Sequence, residues 1–259
     1  MIIACTTLCY CDSPIEIALE NVAQMGFRNI DFAAVEGWKH KGCFPSDLVK
    51  SGDAILARFK PVIDKHQLKI VALNCGLGTS DIKEALPRAE ALFNFGKKFG
   101  VKIITFGAGS NTQTVAEVAE FFRPIVKLAA DYGITVTGET HIGQITEKPQ
   151  DAVELTRQCP GMFLTLDPSH YHAGPPQGKG FEIVYPFVKH LHIRDAGMSR
   201  ETLQMPFGTG RIDWAGILRS LRKVGYDGII SMEYIHDPKL DVAAEIRKAR
   251  AFVEKTWAS

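Results

Sequence analysis

No CxxC pair, no apolar run near the length of a membrane helix, no excess of either charge and no linker-like stretch of Pro, Ser or Gly occurs in this sequence of 259 residues. Each absence removes a class of protein. Six cysteines (Cys5, Cys9, Cys11, Cys43, Cys75 and Cys159) lack the paired spacing of a Cys/His metal cluster, and a chain this long needs no disulfide staples, so reduced thiols in core or loop positions are expected. Thirty Lys and Arg against twenty-nine Asp and Glu leave a formal charge of +1, which offers no sequence-wide attraction for nucleic acid or an anionic membrane. A membrane helix needs roughly 18 consecutive apolar residues or more, and Met1-Ile2-Ile3-Ala4 shows no basic segment ahead of an apolar one. A cytoplasmic enzyme with neither nucleic acid nor membrane as partner is the expectation. Ordinary composition, 46% hydrophobic and 23% charged, without a linker favours a single domain over residues 1–259.

What is present is an alternation. Eight short runs with β-strand character occupy Ile2–Thr7, Asn29–Val35, Lys69–Asn74, Lys102–Phe106, Ile134–Glu139, Met162–Asp167, Val188–Arg194 and Gly228–Tyr234. Between and after them lie helix-like stretches at Ile15–Met25, Ser46–Lys65, Ile82–Phe99, Thr114–Tyr132, Pro149–Gln158, a short Phe181–Pro186, Asp213–Val224 and Asp241–Lys255. Gly26, Gly100, Gly133 and Gly225 each follow a helix-like stretch, where a left-handed residue closes the last turn. Ser13-Pro14 and Asp213-Trp214 read as helix starts. Strict strand-then-helix order implies a parallel sheet with right-handed crossovers, and eight units close it into a (β/α)₈ TIM barrel. An open doubly wound sheet fits less well, because no GxGxxG follows the first strand.

Four of the runs end on residues suited to metal binding or proton transfer: Thr137-Gly138-Glu139-Thr140-His141, Leu166-Asp167-Pro168-Ser169-His170, His190-Leu191-His192-Ile193-Arg194-Asp195 and Ser231-Met232-Glu233-Tyr234. Period-two alternation places His190, His192 and Arg194 on one face, and the same parity turns Glu139, Asp167 and Glu233 inward. Any one of these alone would be an ordinary barrel residue. Four at equivalent strand ends are better explained by an active site, which this fold collects at its C-terminal rim. Buried charges need compensation, and three carboxylates with one imidazole suit one divalent cation: Mn²⁺ first, with Co²⁺, Mg²⁺ and Zn²⁺ as alternatives.

The DxxH element Asp167–His170, the HxHxRD element from His190, Gly208-Thr209-Gly210-Arg211-Ile212-Asp213-Trp214, and Gly225-Tyr226-Asp227-Gly228 leading to Glu233 together resemble the xylose-isomerase-like TIM-barrel superfamily. That superfamily includes sugar isomerases and epimerases, inosose dehydratases and endonuclease IV-type enzymes. The resemblance implies a metal held by Glu139, Asp167, His192 and Glu233, with His170 and Arg194 reaching substrate oxygens. It further implies that Glu139 and Glu233 flank a sugar or cyclitol as catalytic groups, moving a proton next to a carbonyl through an enediolate. Dehydration of a keto-inositol-like or keto-sugar substrate is the alternative activity. A zinc phosphodiesterase of the abasic-site type and a non-catalytic sugar-binding barrel stand further off. The HxHxRD element carries Arg where the family pattern has Lys. Ile145 and Met198 replace a glutamate and an arginine that ketose 3-epimerases resembling this chain carry, and Leu73–Gly76 and Thr105–Ala108 lack the extra histidines of the nucleases.

Other candidates come from position. Trp38, His40 and Phe44 lie in the loop after the second strand, where an aromatic either stacks on a sugar or packs within the loop. Asn74 faces inward with Ala72 and reads as a substrate or backbone partner. His141 either binds substrate or orients Glu139. His172 reads as a loop residue, and Ala173–Gly180 as a rigid rim loop in which Lys179 is solvated. Self-association into a homo-oligomer stays open.

Overall fold

The computed structural model describes residues 1–38, 40 and 43–258. Eight strands run β1 (Ile2–Thr6), β2 (Asn29–Val35), β3 (Lys69–Gly76), β4 (Ile103–Phe106), β5 (Thr135–Glu139), β6 (Met162–Leu166), β7 (Val188–Ile193) and β8 (Ile229–Met232). Every neighbouring pair is parallel, and β8 closes on β1 with Ile3 opposite Ile230 and Cys5 opposite Met232, completing the (β/α)₈ barrel. Around it lie α1 (Ile15–Gln24), α2 (Pro45–His66), α3 (Ile82–Phe99), α4 (Val115–Asp131), α5 (Pro149–Gln158), α6 (Pro168–Ala173), α7 (Trp214–Lys223) and α8 (Val242–Ala258). No helix among the described residues is long and apolar enough to cross a membrane.

Local chemistry sets the joints. Gly26, Gly100, Gly133 and Gly225 all adopt positive φ, and Gly100 at φ 71° directly closes α3, where a side chain would be strained. Asp213 caps α7 by accepting from the Gly216 N–H at 2.9 Å, and Thr114 with Glu117 forms a capping box on α4. The start of α1 differs from the expectation: Pro14 sits at the cap position itself and Ile15 begins the helix, with no side-chain cap from Ser13. Between β6 and β7, Phe181–Phe187 is a 3-10 helix, and a further helix, α6, precedes it. Asp167 caps α6 by accepting from the Ser169 N–H at 2.8 Å, and Pro168 occupies its first turn. Six residues are too few for helical periodicity to register in the sequence, so His172 belongs to a helix rather than a loop.

The outer core is aromatic between β2, α2 and α3, where Phe59 lies 5.5 Å from Phe32 and 5.9 Å from Phe95, ring centre to ring centre. The lumen is layered instead. Ala4, Ala72 and Ile229 fill its base. Above them the hydroxyls of Thr105, Thr137 and Thr165 bond one another at 2.7–3.1 Å, and Glu139, Asp167, Arg194 and Glu233 stand above those, at or one residue past the strand ends. The six cysteines are buried and none is in a disulfide among the described residues, and Cys9 Sγ donates to the Thr6 carbonyl at 3.0 Å.

Two outcomes follow. Phe59→Ala, at a site with no solvent exposure, lowers unfolding free energy by about 3–5 kcal/mol, measured by denaturant titration. His172 is buried against Phe181, and burial holds its pKa below the ordinary 6.5, with Asp195 acting weakly the other way. The unfolded chain therefore takes up a proton that the native ring resists, so stability falls as pH drops below 6.5. His172→Leu gives a flatter dependence of thermal midpoint on pH in that range.

Candidate metal and substrate site

The strand register brings the functional side chains to one level. Glu139 pairs with Thr165, Thr165 with His190, and His192 with Ser231. Donor atoms of Glu139, Asp167, His192 and Glu233 all lie within 4.8 Å of one another, and all four residues are buried. His192 Nδ1 is the hub, 3.2 Å from Glu139 Oε1 and 3.0 Å from Glu233 Oε2. Asp167 joins from the other side, where Arg194 donates to its Oδ2 at 2.7 Å. Three carboxylates and an imidazole nitrogen converging at buried positions fit a divalent cation of the Mg²⁺, Mn²⁺, Co²⁺ or Zn²⁺ type. The residues present fit the ion that the resemblance implies.

The two glutamates are not equivalent. Burial opposes ionisation of Glu139, but its bond to His192 and the charge on that ring hold its carboxyl down at about 2. Burial dominates at Glu233, and with Glu139 nearby it pushes that carboxyl up to about 7 against the pull of His192 and Arg194. Burial would lower His192, yet Glu233, Asp31 and Glu139 raise it well above the ordinary range. Burial, His141 and Arg194 keep His170 neutral, with its pKa well below 6.5. Accordingly Arg194 donates to His170 Nε2 at 3.0 Å and to Ser169 Oγ from two nitrogens, at 3.0 and 3.2 Å. A planar fork makes these contacts at once, which a lysine at this position would not.

Above the donors opens a cavity of about 340 Å³ lined by Trp38, Asn74, Glu139, His141, His170, Arg194 and Glu233, together with Gln144 and apolar residues. Asn74 donates from Nδ2 to Glu233 Oε1 at 2.7 Å. The rings of His141 and His170 stack with centres 3.8 Å apart, and His141 Nδ1 lies 2.6 Å from the Ile142 carbonyl oxygen. Trp38 is 40% exposed at the mouth. His40 is buried instead, its Nε2 3.0 Å from the Thr7 carbonyl oxygen, so it bonds to the 3-10 turn that follows β1. Phe44 is the cap residue before α2, its N–H donating to Asp47 Oδ2 at 3.1 Å. Ile145 is buried beneath the loop after β5 and Met198 is exposed beyond β7.

Asp195, Asp31 and Gln144 carry work that the sequence reading did not assign. The Asp195 carboxylate accepts from the N–H groups of Ala196, Gly208 and Gly210 at 2.8–3.0 Å, which explains the pairing of the HxHxRD and GTGR segments. Gly210 is required there, because a Cβ would collide with that same carboxylate and with the Ala196 carbonyl. Gln144 accepts from the Ala108 N–H at 2.5 Å and bridges the loops after β4 and β5. Asp31 lies in the lumen beside His190 and His192. Its signal was a single charge inside the otherwise apolar run Ile30–Ala34.

Comparison with known proteins agrees with this architecture. An alignment of 164 positions, covering 54% of this chain and 54% of that protein, is 26% identical to inosose dehydratase of Yersinia enterocolitica. The chain spans about half or less of the length of the curated relatives it matches. Among solved structures, a xylose isomerase-like TIM barrel protein from Mycobacterium smegmatis in complex with magnesium superposes with a TM-score of 0.77 at 18% identity, over 99% of this chain and 96% of that one. D-allulose 3-epimerase from Methylomonas sp. gives 0.75 at 17% identity, over 99% and 98%. The profile of the family described as Xylose isomerase-like TIM barrel matches residues 19–256. By that match, across nearly its whole length, the chain belongs to the xylose isomerase-like TIM barrel family.

Proposed function

We propose that the protein is a divalent-metal-dependent sugar isomerase or epimerase that moves a proton next to a carbonyl carbon. One observation carries the reading: Glu139 and Glu233 meet at the same nitrogen of His192, within a converging set of four metal-type donors, on the floor of a cavity sized for a small sugar. Glu139, Asp167, His192 and Glu233 would hold the ion, with Mn²⁺ preferred for a mainly oxygen donor set. When bound, such an ion would act as a Lewis acid on a carbonyl and its neighbouring hydroxyl, making the hydroxyl-bearing carbon next to the carbonyl more acidic.

The chain's own residues supply the rest. Glu139 and Glu233, which meet at His192, would flank the substrate, one accepting the proton and the other returning it. Asn74 orients Glu233 through its 2.7 Å bond. Arg194 and neutral His170 bind substrate oxygens from one wall, His141 supports them by stacking on His170, and Trp38 offers a ring face at the mouth. Burial of these groups keeps bulk water from the carbon acid.

Dehydration of a keto-inositol or keto-sugar is the second reading, favoured by the similarity to inosose dehydratase. The enediolate reached by proton removal can expel a neighbouring hydroxyl instead of being reprotonated. Turnover in D₂O with Mn²⁺ separates the two. A product of unchanged composition carrying one carbon-bound deuteron supports isomerisation or epimerisation, and loss of one water supports dehydration. Glu139→Gln and Glu233→Gln each reduce turnover by about 100-fold or more. Absence of turnover on ketoses, aldoses, keto-glycosides and keto-inositols with Mn²⁺, Co²⁺, Mg²⁺ and Zn²⁺ overturns the reading.

A further inference from the structure

Below the cluster of metal donors lies a second group of buried polar atoms that the mechanism above leaves unused. Asp31 on β2, His190 and His192 on β7 and Ser231 on β8 have no solvent exposure. Both Asp31 carboxylate oxygens, Nε2 of each histidine and the Ser231 hydroxyl lack a hydrogen bond. They nevertheless face one another: Asp31 Oδ2 is 3.3 Å from His190 Nε2 and 3.5 Å from His192 Nε2. A carboxylate is not left bare in a barrel lumen without large cost, so these atoms are one another's natural partners.

The remaining nitrogens fix the arrangement. His190 Nδ1 lies 3.1 Å from the Thr105 hydroxyl, which can donate to it, leaving Nε2 as the protonated nitrogen turned to Asp31. His192 Nδ1 lies between Glu139 and Glu233. A cation entering the site displaces the Nδ1 proton, and the neutral imidazole that results carries one N–H and one lone pair, so an acceptor at Nε2 leaves the lone pair on Nδ1. We propose that Asp31 is a positioning residue whose carboxylate accepts from Nε2–H of both His190 and His192, fixing the tautomer and ring orientation that turn the Nδ1 lone pair of His192 toward the cation site. The inference rests on the metal reading of Glu139, Asp167, His192 and Glu233. Asparagine would not substitute, because its amide group can donate to Nε2 and favour the opposite tautomer.

Titration of the metal-stripped full chain with Co²⁺ and with Mn²⁺, followed by calorimetry and the visible spectrum of Co²⁺, tests this. Wild type is expected to bind one ion per chain, and Asp31→Asn to bind it about 10–100-fold more weakly with an altered Co²⁺ spectrum. A purely structural Asp31 would lower the thermal midpoint of the metal-free protein and leave affinity and spectrum as in wild type, which overturns the inference alone. Two ions per wild-type chain, with one lost in Asp31→Asn, also overturns it, since Asp31 would then be a ligand in its own right. Failure of wild type to bind either ion overturns the inference and the metal reading together. Should Asp31→Asn not fold, histidine ¹⁵N spectra of the Zn²⁺-loaded wild type decide: an N–H on Nε2 of His192 supports the assignment, and one on Nδ1 overturns it.

Discussion

Negative charge gathered in the lumen is the constraint on which the rest of the molecule turns. Asp31, Glu139, Asp167 and Glu233 are all buried within one parallel barrel, and none could remain ionised there without compensation. The compensation is divided by level. Arg194 answers Asp167 through a 2.7 Å bond, His192 lies between the two glutamates, and His190 with His192 faces Asp31. The opposite shifts of Glu139 and Glu233 express an imbalance of donors over cations, because one imidazole beside two carboxylates satisfies one and leaves the other protonated near neutrality. A divalent ion is the charge that such an arrangement accommodates.

Much of this was legible in the sequence because a parallel barrel writes its geometry in simple periods. Period-two alternation along His190–Arg194 sorted lumen from helix-facing residues, and four polar strand ends marked the rim. Glycines after four helix-like stretches marked joints that do take positive φ. Less visible was anything decided by short segments or by pairing across the barrel. Six-residue α6 is too brief to show periodicity, and Ser13 loses its cap role to the backbone of Pro14. Asp31 looked like a stray charge in an apolar run, since its partners lie some 160 residues away on β7.

The motif segments also divide by function once their contacts are known. His192 and Arg194 point to the donors and the cavity, whereas Asp195, next in sequence, faces away and gathers the backbone of Gly208 and Gly210. One strand end therefore serves both the site and the loop that borders it. Tyr234, the residue after Glu233, receives the Asp195 N–H at 3.2 Å and donates to the Met205 carbonyl at 3.0 Å, so the ends of β7 and β8 are held to the same loop.

The threonine layer beneath the donors has a consequence of its own. Thr105, Thr137 and Thr165 form a closed set of hydroxyl contacts, and Thr105 passes one on to His190. A hydroxyl both donates and accepts, and it reverses direction by rotating about a single bond. The floor of the lumen is therefore a polarisable layer without a fixed dipole, able to match a gain or loss of charge above it while the eight strands keep their places.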